Sequence, residues 1–215
     1  MTRTQIIAHV LFLLGRQESN TYLIEQAKTC LGLIQEKLEG GALMPWFLLT
    51  DELSLATVAN LRSVAVPSDF LREWEDYPLT YYDVTAEDPY IELDKDEFNY
   101  LREQFGSSET GPPQAYSLDG QVYSMFPTPA DIYTLTTRYF AKDEVLTDSV
   151  LENNWTEHAT DVLIAELGMM LSAGRRDPAI NQYFATEAGR AHRRLLAFDK
   201  ARKQALCDAR RGDRA

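Results

Sequence analysis

The chain has few of the residues that run most enzyme chemistry. It holds two cysteines in 215 residues, Cys30 and Cys207, far apart in sequence. Two thiols make neither a disulfide framework nor a zinc site. Cys30 falls inside a helical pattern, where a buried free thiol is the expectation, together with a reducing compartment. The three histidines, His9, His158 and His192, lie in helical segments, none at metal spacing from a Cys or another His. There is no G-x-x-x-x-G-K, no G-x-G-x-x-G and no G-x-S-x-G, so phosphate loop, dinucleotide fingerprint and nucleophile elbow are all missing. No apolar run approaches the roughly 20 residues that span a bilayer. The longest, IIAHVLFLL at 6–14, is interrupted by His9. Only Arg3 precedes that run and no small-residue cleavage site follows, so no signal peptide is expected.

Cations are scarce over most of the chain. Net charge is −12. Residues 188–215 hold nine Lys/Arg against three acids, leaving −18 on residues 1–187. An acidic body argues against wrapping nucleic acid, which needs clustered cations against phosphate. It does not exclude surrounding DNA without gripping it.

What is present is patterning. Residues 4–14 suit a short helix, broken by GRQESN at 15–20. Asn20 or Thr21 can cap a second helix whose stripe is Leu23, Ile24, Ala27, Leu31, Ile34 and Leu38, ended by Gly40-Gly41. Extended runs follow at 46–55, 62–77 and 78–84, with Pro67 disfavouring helix before it. Asp94 and Glu97 fit a capping box for a small helix through Phe98, Leu101 and Phe105, with Gly106 as its stop. AYSLDGQVYSMF at 115–126 predicts a hairpin whose positive φ angles come from Asp119-Gly120. The clearest strand is Tyr133–Phe140, fed by the Pro-x-Pro corner at Pro127 and Pro129. Helical period returns at Trp155, Ala159, Val162, Leu163, Leu167, Met170 and Leu171. Asp177-Pro178 then opens a last helix of about 28 residues. The closing RRGDRA is expected to fray or to await a partner.

The predicted fold is α+β and mainly helical: a bundle of long α-helices with a β-strand and hairpin insertion between the second and third. Residues 1–45 and 146–199 would form the bundle, 46–145 the β-rich insertion with one small helix, and 200–215 a basic C-terminal tail.

Two clusters are chemical candidates. Glu157 and Asp161, beside His158, share a helix face but lack the H-E-x-x-H spacing, so a solvated first turn near the positive helix end is the plainer reading. Ten acids crowd residues 73–97, among them Glu73, Glu75, Asp76, Asp83, Asp94, Asp96 and Glu97. Converging carboxylates can hold Mg²⁺ for phosphodiester cleavage, whereas a solvated acidic surface needs no convergence. The basic end reads either as a wet helix face at Arg190, Arg193 and Arg194 or, from Lys200 onward, as an extension that orders on an oppositely charged partner.

In order and spacing these landmarks resemble the head–tail adaptor (connector) proteins of tailed bacteriophages. The likeness is carried by the N-terminal helix pair followed by Trp46, and by VPSDF at 66–70. It continues through the DG turn at 119–120, FPTPADIYTLTTRYFA at 126–141, LTDS at 146–149, NNW at 153–155 and the last long helix. It covers nearly the whole chain, through packing and turn elements rather than catalytic signatures. The acidic segment 84–115 is longer than the family minimum.

The resemblance implies a structural virion protein with no catalytic, cofactor or metal residues. It would form a ring, commonly of twelve copies, beneath the portal protein and extend the DNA channel. It would dock a tail, nozzle or tail-completion protein and pass DNA without specific binding. It would sit at the head–tail junction, after a stay in the host cytoplasm during assembly, with no membrane partner. The portal contact would be residues 200–215, with Arg202, Lys203, Arg210, Arg211 and Arg214 bearing the charge. The alternatives are a tail-completion or head-closure component of the same virion, a metal-dependent phosphodiesterase using 73–97, and a cellular helical regulator bound through its tail.

Overall fold

The structure is a computed structural model that describes residues 1–16, 20–41, 44–82, 90–106, 108–173 and 178–213, with side chains described up to Leu206 in the last helix. The chain divides into two compact units, residues 1–48 with 142–215, and residues 49–141.

In the first unit, α1 (Arg3–Leu13) starts at a capping box: Thr2 Oγ1 accepts the Gln5 N–H while Gln5 accepts the Thr2 N–H. Helix α2 (Thr21–Glu39) starts at Asn20, whose side chain accepts the Leu23 N–H, and ends at Gly40. A 3-10 turn occupies Trp46–Leu48. Near the C-terminus, the α4 (Asn154–His158), α5 (Thr160–Ser172) and α6 (Pro178–Asp213) helices complete the unit. Helix α5 is central: Val162, Leu163, Ala165 and Leu167 are buried, and α1, α2 and α6 all pack on it. At Gly168 the Phe184 ring of α6 occupies the space that a Cβ would need.

The chain leaves this unit after Leu48 and returns at Lys142. A buried polar network receives the return segment. Gln35 Nε2 donates to the carbonyls of Asp143 and Glu144 and, at 2.9 Å, to Glu39 Oε1. Its Oε1 accepts the Leu146 N–H and the Asn153 side chain. The fully buried Trp155 donates its Nε1–H to Glu39 Oε1 at 3.0 Å. Burial pushes the Glu39 carboxyl above its usual range. The hydrogen bonds from Gln35, Trp155 and the Asp143 backbone pull it back, while the Asp143 charge adds to the rise.

In the second unit, strands β1 (Leu53–Ala56), β2 (Ser63–Ala65), β3 (Phe70–Glu73), β4 (Thr80–Tyr82), β5 (Tyr90–Glu92) and β6 (Asp94–Lys95) precede α3 (Phe98–Phe105). Strands β7 (Thr110–Gly111), β8 (Ala115–Asp119), β9 (Val122–Phe126), β10 (Thr128–Pro129), β11 (Thr134–Thr137) and β12 (Tyr139–Ala141) follow. They form two four-stranded sheets, β1-β11-β4-β5 and β2-β9-β8-β6, and two pairs, β10-β7 and β12-β3. The core between them holds Val64, Leu79, Tyr81, Leu93, Tyr123, Met125 and Leu135. Helix α3 covers the β8-β9 hairpin through Leu101 on Ala115 and Phe126.

Five expectations change. The bundle of long helices with an insertion is corrected: the described residues contain twelve strands in four sheets beside six helices, two of which have eight and five residues. Each of the twelve described strands runs only two to five residues, too short for a periodic signal to show their number in the sequence. The helix read from Trp155 to Leu171 breaks at Ala159, whose φ of −136° and ψ of 34° are non-helical. The strand read as Tyr133–Phe140 is two strands: β11 pairs with β1 and β4, and β12 pairs with β3. Asp94 does not cap α3; it pairs with Ala115 in a parallel ladder, and Glu97 holds the N-cap position without a side-chain bond. In the hairpin, Asp119 pairs with Val122, so the two-residue turn is Gly120-Gln121 and only Gly120 takes a positive φ, 60°.

Candidate docking site at the C-terminal helix

Helix α6 is 36 residues long, about 54 Å at 1.5 Å per residue. Pro178 sits at its first turn, where a missing N–H costs nothing. Phe184, Ala188, Ala191 and Leu195 recur at helical spacing and are buried. The next residue on that stripe is a carboxylate, Asp199, only 6% exposed.

Asp199 closes a clasp on the residues just before the chain leaves this unit. Its Oδ1 accepts the Trp46 N–H at 2.6 Å, and its Oδ2 pairs with Lys203 at 2.9 Å. Lys203 Nζ also donates to the Met44 carbonyl at 2.5 Å. The Arg202 guanidinium lies 5.1 Å from the Trp46 ring centroid and 5.5 Å from that of Phe198, within cation–π range. Thus two of the five cations assigned to a partner from sequence, Arg202 and Lys203, make contacts within their own chain. Arg210 and Arg211 lie on α6 with side chains outside the described residues, and Arg214 lies outside them altogether. The Asp199–Lys203 spacing of i, i+4 was visible in the sequence; the Met44–Trp46 segment they grip, more than 150 residues away, was not.

The EHATD segment joins the same surface without forming a metal site. The His158 ring packs 4.9 Å from Trp46 and 5.4 Å from Phe47. Asp161 pairs with Arg194 at 3.1 Å. A cleft of about 210 Å³ lies among Trp46, His158, Asp161, Arg194, Leu195 and Phe198. Among the described residues the acids of 73–97 are not brought together either: Glu73 is buried and ion-paired with Lys95, and Asp83, Glu87 and Asp88 lie outside those residues. Burial, helped by the Glu73 charge, pushes the Tyr116 and Tyr123 hydroxyls far up, so they stay neutral. Among the described residues no group of three His, Cys, Asp or Glu could hold a metal ion. Cys30 is a half-buried free thiol, pushed up by burial, and Cys207 is not described at side-chain level. No described helix is long and apolar enough to cross a membrane.

A helical unit with a long, basic final helix and a β-rich unit of short sheets is the context for the comparison with known families. The model of the SU10 adaptor protein family matches residues 1–214. The chain belongs to that family. It is a family of phage head–tail adaptors, structural proteins of the virion that work with portal and tail proteins. No curated protein matches this adaptor in sequence.

Proposed function

We propose that this adaptor assembles as a ring, of twelve copies, beneath the portal. The ring extends the DNA channel, gives tail components a platform, and performs no catalysis. The observation that carries this reading is α6: anchored by the Asp199 clasp, it runs on through Asp213 with a basic sequence. Arg202 and Lys203 seat the base of that segment, while Arg210, Arg211 and Arg214 carry its charge to the portal. The acidic body suits a channel wall, since carboxylates repel phosphates and let DNA slide without binding. The β-rich unit faces neighbouring copies and the tail. Its two adjoining turns, joined by Asn60 N–H to Pro129 O at 2.8 Å, expose Val58, Leu61 and Ile132, the last 72% accessible. Such an apolar tip suits a protein partner. The adaptor joins the virion at the head–tail junction after assembly in the host cytoplasm.

The test is removal of residues 207–215, which spares the clasp. The truncated protein should keep its circular dichroism spectrum and fail to co-purify with the portal of the same phage. Undiminished portal binding would refute the assignment of the C-terminal segment.

A further inference from the structure

A ring needs each copy to offer two different surfaces, and the helical unit carries a complementary pair. The first is a groove of about 300 Å³ on α2 and the return segment, with Leu33, Glu36, Glu39, Lys142 and Val145 among its lining residues. Leu33 is 52% exposed and Val145 44%, so its wall is apolar and open. Glu39 is 2% exposed, and its Oε2 has no hydrogen-bond partner of ordinary geometry. A cationic donor entering the groove would add a charge-assisted partner to those that Gln35, Trp155 and the Asp143 backbone already give this carboxyl.

The second surface is on α6. Arg193, Leu196 and Lys200 fall at i, i+3 and i+7, on one stripe away from the buried positions. Leu196 is 51% exposed. Arg193 and Lys200 are exposed and enter no ion pair among the described residues. Within one copy α2 and α6 make little direct contact, and both pack on α5. Helices α2 and α6 flank α5, where Glu166 takes Lys37 from α2 at 3.1 Å and His192 from α6 at 3.6 Å. Gly32 and Glu39 lie on the flank of α2 turned away from Lys37, while Leu33, one turn before Lys37, forms the groove's nearer edge.

We propose that the Arg193–Leu196–Lys200 stripe of one copy seats in the α2 groove of the next. Leu196 packs on Leu33 and Val145, and the two cations meet Glu36 and Glu39. The proposal rests on the ring reading above and names the contact that builds the ring. The surfaces differ, so the contact is head-to-tail and continues past a dimer until it closes. Lys142 opposes the incoming cations and so fixes the sign of the test.

The experiment is cysteine cross-linking in a Cys30→Ser, Cys207→Ser background. Full-length protein carrying both Leu33→Cys and Leu196→Cys is oxidised, alone and mixed with the portal, and run on non-reducing gels beside electron micrographs. The expected result is a covalent ladder extending beyond dimer, which neither single variant gives. Adding Arg193→Glu and Lys200→Glu should abolish ladder and ring with an unchanged helical spectrum; adding Glu36→Arg should restore them in part. Lys142→Glu alone should raise the ladder yield severalfold. Rings in the micrographs without a ladder overturn this interface and leave the ring reading standing, as does a ladder indifferent to charge reversal. If neither ring nor ladder forms, with or without the portal, the ring reading fails and this proposal fails with it.

Discussion

Replacing Gly168 by alanine should loosen the seat of α6, although alanine is the better helix former. A Cβ built at Gly168 would lie 2.1, 2.2 and 2.6 Å from three carbons of the Phe184 ring, where carbon atoms normally rest at about 3.5–4.0 Å. Either the ring or the helix must move by more than about 1 Å, in a core packed at crystal density. Overpacking of this kind costs about 1–3 kcal/mol, and the gain in helix propensity offsets at most about 1 kcal/mol. The net expectation is a loss of about 1–2 kcal/mol. Gly189 is the internal control: it lies on α6 itself, with nothing within 4 Å of its added Cβ. Gly189→Ala should therefore stabilise by up to about 1 kcal/mol. Urea unfolding followed by far-ultraviolet circular dichroism at 222 nm reports the helical unit. With a slope of about 2 kcal/mol per molar, Gly168→Ala should lower the midpoint by roughly 0.5–1 M while Gly189→Ala raises it. A double substitution of Gly168→Ala with Phe184→Leu should recover part of the loss, because the clashing ring edge is gone. Equal stabilisation by both alanines would refute the close α5–α6 packing.

Two further outcomes follow from the polar contacts. Glu39, raised above the ordinary carboxylate value near 4.5, binds its proton more tightly folded than unfolded. Its contribution therefore falls as pH rises from about 4.5 through its folded value and recovers as pH drops. Melting temperatures at pH 4.5 and 7 should show Glu39→Gln gaining on the wild type at pH 7 and losing that advantage at pH 4.5; a difference independent of pH would contradict the buried charge. Asp199→Ala removes the acceptor of the Trp46 N–H and the partner of Lys203, and should cost about 1.5–3 kcal/mol as a charge-assisted hydrogen bond. Hydrogen exchange at the Trp46 amide should accelerate at least about tenfold, since 1.4 kcal/mol corresponds to a factor of ten. Unchanged protection there would break the clasp argument.

The parts of the fold legible in the sequence are those specified by neighbours. Asn20 and Gly40 bound α2 because a cap is decided within three or four residues. Gly120 marks the hairpin because a two-residue turn demands its φ. Where a long-range partner decides, the sequence misleads. Asp94 has the spacing of a capping box, yet Ala115 claims its backbone for a ladder. Tyr133–Phe140 alternates as one strand, yet Leu135 pairs with Tyr81 while Tyr139 pairs with Glu73, and the run is shared between two sheets. The candidate site divides in the same way. The basic character of the C-terminal segment is plain in composition. That Arg202 and Lys203 turn back onto Trp46 and Met44 depends on contacts no local pattern encodes. The groove at Glu39 was equally hidden, since it requires α2 and the return segment at Lys142 to come together.

Electron microscopy of the purified protein mixed with the portal of the same phage decides whether the adaptor forms a ring there. The expected result is an added ring coaxial with the portal channel, with a mass gain of about 300 kDa for twelve copies of 24.5 kDa. Portal particles that gain no density, with the adaptor left monomeric at every mixing ratio, would contradict it.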